Sequence, residues 1–154
     1  MLQIDAALKT GGSFGAALDD LAAGGITVPD ELRAMAAGVP SLADLQAGFA
    51  TPARAALGAS LKSTGSDSAM QRLSAFVRDQ VGARSLTARD GADPDAVLSR
   101  AEAALTKGDL ATVLTELAAL PDPGQAEMAN WVALAQGRLA AEAQIAALSD
   151  SLGQ

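Results

Sequence analysis

An all-α fold follows from three features of the sequence. Alanine and leucine dominate the composition, β-branched residues are sparse, and apolar residues recur at spacings of three and four between glycine and proline breaks. Aromatic residues make up only 3% of the chain (Phe14, Phe49, Phe76 and Trp131) and Tyr is absent, which starves β-strands of the residues they favour. The pattern predicts a helical bundle of about six to eight helices with a long C-terminal helix. At 154 residues the chain has the size of one ordinary domain and can bury a sizeable core.

The elements follow in order. Residues 2–9 read as a short helix or as the tail of a longer one. Ser13 stands where it can cap a second helix through about Ala23, with Phe14, Leu18 and Leu21 on one face and Gly24-Gly25 as the stop. Pro29 and Asp30 start a short helix carrying Leu32 and Met35, which halts near Gly38-Val39-Pro40. Ser41 and Asp44 form a capping box with Asp in place of the usual Glu. Leu42, Leu45 and Phe49 then recur at helical spacing. Pro52 is expected to kink or split this element, whose second half carries Ala53, Leu57 and Leu61.

Residues 62–68 read as a polar loop, 69–81 as a helix and 82–93 as a second irregular stretch. Asp93-Pro94 supplies an N-cap and a first-turn proline for a helix that runs to Lys107 and ends at Gly108. Asp109 caps the next helix, through Leu120. Pro121, Pro123 and Gly124 break the chain before a last helix from about Gln125 to Leu148 or beyond. Along the sequence this divides into an N-terminal helical segment (1–66), a candidate amphipathic lipid-binding segment and loop (67–92), and a helical hairpin plus long terminal helix (93–154).

The chain contains neither Cys nor His. Disulfides, thiolate chemistry, histidine bases and histidine metal ligands are thereby excluded. Gly11-Gly12-Ser13-Phe14-Gly15 matches G-x-S-x-G in letters, but a nucleophile elbow needs a preceding strand and a histidine base. A helix cap between glycine hinges accounts for it better. Asp19-Asp20 and the trio Asp90, Asp93 and Asp95 read as helix-end residues rather than as a metal site. No phosphate-binding, dinucleotide or calcium loop occurs. The expectation is a protein that is not an enzyme, with no catalytic residues, no metal and no cofactor. No apolar run approaches the roughly 18–20 residues that a membrane span requires.

The net charge of −7 argues against a nucleic-acid partner. The charge is unevenly spread. Residues 51–89 carry six basic and two acidic side chains, a net of +4, whereas the remainder carries five basic and sixteen acidic, a net of −11. Within the basic island, Met70, Leu73, Val77 and Val81 share one arc of a helical wheel, and Phe76 extends it. Arg72 and Arg78 flank the arc. Such a stripe suits a helix lying in a lipid headgroup layer, and equally a core-facing helix with solvated arginines; the wheel alone favours the core.

Two further features concern partners. On the last helix Trp131, Leu134, Arg138, Ala141, Ile145, Leu148 and Leu152 follow an alternating three- and four-residue spacing, a coiled-coil-like seam with Arg138 as the odd member. Trp131, Leu134, Arg138, Ile145 and Leu148 are the expected oligomer or partner interface. The hairpin of residues 94–120 has a tetratricopeptide-like spacing through Ala101, Ala104, Leu105, Gly108, Asp109 and Leu110, with no second copy at that repeat's period.

Taken together, several segments resemble the C-terminal region of mitofilin and its alphaproteobacterial homologues. They are Gly38-Val39-Pro40-Ser41-Leu42-Ala43-Asp44-Leu45 with Phe49 and Ala53-Arg54-Ala55-Ala56-Leu57; Asp95 through Glu102; Gly108-Asp109-Leu110; Leu114 to Leu120; and Asn130-Trp131-Val132 with Arg138-Leu139. Asn130-Trp131-Val132 departs from the family's Asp-Trp-Leu, and Leu120-Pro121-Asp122 from its more usual turn. The resemblance spans nearly the whole chain and rests on the order and spacing of the segments.

The resemblance implies a domain held beyond an inner-membrane anchor that lies outside this chain, on the periplasmic face of the inner or intracytoplasmic membrane. It implies a role in membrane organisation and curvature, an anionic membrane surface and a homo-oligomer as partners, and contacts with outer-membrane assembly proteins. It also implies lipid binding near residues 67–89, which raises Arg72, Leu73, Phe76, Val77, Arg78 and Arg84 as candidate lipid contacts, level with the core-facing alternative. The expected function is a membrane-shaping scaffold domain acting by weak lipid binding and self-association. The alternative is a helical protein-interaction module, a tetratricopeptide-like adaptor with no direct lipid contact.

Overall fold

The computed structural model describes residues 2–63 and 93–152. Among them are seven helices and no strand: α1 (Leu2–Thr10), α2 (Gly15–Ala23), α3 (Asp30–Ala34), α4 (Leu42–Ser63), α5 (Pro94–Thr106), α6 (Leu110–Leu117) and α7 (Asp122–Leu152). The fold is all-α, and its C-terminal helix is long, at 31 residues. No helix among the described residues is long and apolar enough to cross a membrane. The helix expected over 69–81 lies outside the described residues, and so do Arg72, Leu73, Phe76, Val77, Arg78 and Arg84.

The chain groups into two units. One comprises Met1–Gly48 and Trp131–Gln154, the other Phe49–Asn130, so both α4 and α7 contribute a portion to each. Pro52 lies inside α4 without ending it. It has no N–H to donate to the Gly48 carbonyl, so the helix lacks one rung at the residue where the first unit stops.

In the first unit the core gathers side chains from α1, α2, α3, α7 and the turns between the short helices. Ile4 and Leu8 of α1, Phe14, Leu18 of α2, Val28, Leu32 of α3, Val39, and Ala141, Ile145 and Leu148 of α7 form one buried cluster. The four-residue step from Ile4 to Leu8 puts both on one face of α1. Burying side chains of this size stabilises by about 1.5–3 kcal/mol each before conformational entropy is subtracted.

The start of α2 keeps only a long version of the expected Ser13 cap, with Ser13 Oγ accepting from Gly15 N at 3.4 Å. Phe14 occupies the N-cap position and makes no side-chain cap bond. The Ala36 carbonyl does the capping from outside, accepting from Phe14 N at 3.0 Å, Gly15 N at 3.1 Å and Ser13 Oγ at 2.8 Å. A carbonyl that satisfies orphan N–H groups removes the need for a capping side chain.

The second unit is built from local signals. Asp93 caps α5 by accepting from Ala96 N at 3.1 Å, with Pro94 in the first turn. Asp109 caps α6, accepting from Thr112 N at 3.0 Å and Thr112 Oγ1 at 2.6 Å. α5 packs on α6, and Arg100 Nη2 meets Glu116 Oε2 across the pair at 2.8 Å. Val97, Ala101, Ala104, Leu105, Leu110, Val113 and Leu117 are all buried.

The end of α6 and the start of α7 also differ from expectation. α7 begins at Asp122 instead of Gln125, with Pro123 inside its first turn, where a missing N–H costs nothing. Pro121 O accepts from Gly124 N at 2.8 Å and Gln125 N at 3.0 Å. The Gln125 amide reaches back to Ala118 O at 3.0 Å and Leu120 O at 2.7 Å, satisfying carbonyls that the end of α6 leaves open.

Candidate interaction site around a buried arginine

The first unit's distinctive chemistry sits in the turn between α3 and α4. Gly38 has φ +111°, and a Cβ there would meet the Gly12 carbonyl oxygen at 2.7 Å and that of Gly11 at 2.9 Å. Both neighbours are backbone and cannot rotate away, so only glycine fits. Gly11 in turn has φ +74° at the end of α1, where the Gly12 N–H closes on Ala7 O at 3.0 Å. The strand of turn that follows Gly38 thus lies directly on the end of α1.

Ser41 and Asp44 then open α4 by the expected capping box. Asp44 N donates to Ser41 Oγ at 3.1 Å, while Asp44 Oδ2 accepts from Ser41 N at 2.9 Å and Ser41 Oγ at 2.6 Å. The Ser41 hydroxyl, and next its backbone N–H, hold the Asp44 carboxyl below its ordinary pKa of 3.8.

Arg138 of α7 reads this turn. Among the described residues it is the one charged side chain that is buried, at 8% exposure. Its Nη1 donates to Leu8 O at 2.8 Å and to Pro40 O at 3.0 Å, and its Nη2 meets Glu142 Oε1 one helical turn on at 2.8 Å. Leu8 O belongs to the last turn of α1, where carbonyls lack helical partners and a cation is favoured. A planar guanidinium with several fixed donors can serve two carbonyls and a carboxylate at once, which an ammonium on a flexible stem does poorly. Two turns earlier, Trp131 is buried and its Nε1 donates to Leu45 O of α4 at 2.9 Å.

The expected seam on the last helix therefore divides. Trp131, Arg138, Ile145 and Leu148 are buried among the chain's own residues, whereas Leu134 is 42% exposed. The residue that continues the buried stripe after Trp131 is Ala135, fully buried, and not Leu134. Spacing alone permits a step of three or four after Trp131, and hydropathy favours the leucine; burial takes the alanine. Glu142 and the carbonyls of Leu8 and Pro40 had no place in the sequence reading. Glu142 stands four residues after Arg138, a legible helical pairing, but a backbone carbonyl carries no signature in a sequence.

Elsewhere in this unit Leu2 is 87% exposed, beside a shallow open depression lined by Gln3, Ala17, Asp20 and Leu21. Among the described residues no group of three or more carboxylates is placed to hold a metal ion. No protein-family model, curated protein or solved structure matches the chain.

Proposed function

We propose that this chain is a helical module of a membrane-organising scaffold of the mitofilin kind, acting by weak attraction to anionic lipid and by self-association, on the periplasmic face of an inner or intracytoplasmic membrane. The observation that carries the reading is that two stretches of the resemblance, far apart in sequence, meet in space. Residues 38–45 and 130–139 are joined by the Arg138–Pro40 bond at 3.0 Å and the Trp131–Leu45 bond at 2.9 Å. Gly38, Ser41 and Arg138 of those motifs each have a structural task in one unit.

The lipid step would fall to the basic island, where arginine attracts phosphate and Leu73, Phe76 and Val77 insert shallowly. Self-association would multiply weak lipid contacts. Cosedimentation of the 154-residue chain with vesicles containing anionic phospholipid tests it. Binding that weakens as salt rises and is lost in the Arg72→Glu/Arg78→Glu variant is expected. Equal pelleting with neutral and anionic vesicles, or no effect of the charge reversal, overturns the lipid mechanism. The α5–α6 hairpin favours a second reading, a protein-docking module with no lipid contact, for which a partner would bind a variant that no longer binds vesicles.

A further inference from the structure

We draw no further inference here: the strongest candidate, the outward stripe of small residues on α7 formed by Ala133, Ala140, Ala143 and Ala147, is an exposed surface patch and nothing in the structure shows what covers it.

Discussion

The two units solve the same problem, closing short helices into a core, by different means. In the second, three helix ends are satisfied by residues close in sequence: the start of α5 by Asp93, the start of α6 by Asp109 and the end of α6 by Gln125. In the first, the end of α1 and the turn before α4 are satisfied by Arg138, 130 residues from Leu8 and 98 from Pro40. Local closure gives a hairpin whose parts tolerate change one at a time. Distant closure concentrates the dependence on one side chain and on a glycine that lets two backbones touch.

Substitutions should separate these designs. The largest loss is expected for Arg138→Ala, about 3–5 kcal/mol in denaturant unfolding, because a buried carbonyl and a partly buried one lose their donor along with the packing of the arginine stem. Gly38→Ala should follow, at about 2–3 kcal/mol, since the new methyl meets backbone oxygen in a left-handed conformation. In the second unit, Gly124→Ala sets a methyl against Ser60 Oγ and 3.2 Å from Ala56 O, an overpacking worth about 1–2 kcal/mol in the same assay. Removing the oxygen that the new methyl meets, in Gly124→Ala combined with Ser60→Ala, should recover part of that loss.

Smaller effects are expected at the caps. Asp109→Ala should lower the denaturant midpoint by less than either glycine substitution does, since the cap it removes is solvent-exposed. Both Asp44 and Asp109 are held below the ordinary carboxyl range, Asp109 by the Thr112 hydroxyl first and its N–H second. A depressed folded-state value means that the cap contribution is complete above the unfolded pKa, near 4, and fades as pH falls through the lower folded value. Thermal melts from pH 5 to pH 2 should therefore decline less steeply for the Asp44→Asn/Asp109→Asn variant than for the wild type. The smallest effect belongs to the Arg100–Glu116 pair, only about three-quarters buried; a double-mutant cycle should give about 0.5–1 kcal/mol of coupling.

Local closure was the legible kind, in either unit. Asp93-Pro94, Gly108-Asp109 and the Ser41–Asp44 box lie within three or four residues of the groups they serve, and the structure uses each as the spacing predicts. Where the partner is a distant carbonyl, residue type gave no warning. Ser13 reads as a cap because its own sequence cannot reveal that Ala36 O reaches the same N–H groups. Arg138 reads as an interface charge because an arginine in an apolar seam needs an acceptor, and the acceptors here are backbone atoms of α1 and of the turn before α4. Pro52 reads as a kink or a split because its cost is local, and α4 runs through it as one helix from Leu42 to Ser63.

The claim that the first unit is organised on Arg138 is tested most directly by the fluorescence of Trp131, the chain's single tryptophan and a member of that unit. Denaturant unfolding of Arg138→Met and Arg138→Lys should be followed at that probe. Loss of the two carbonyl bonds predicts midpoints well below wild type for the methionine variant, with only partial recovery for lysine. A methionine variant as stable as the wild type, or more so, would mean that the arginine fills space and does not hold the turn.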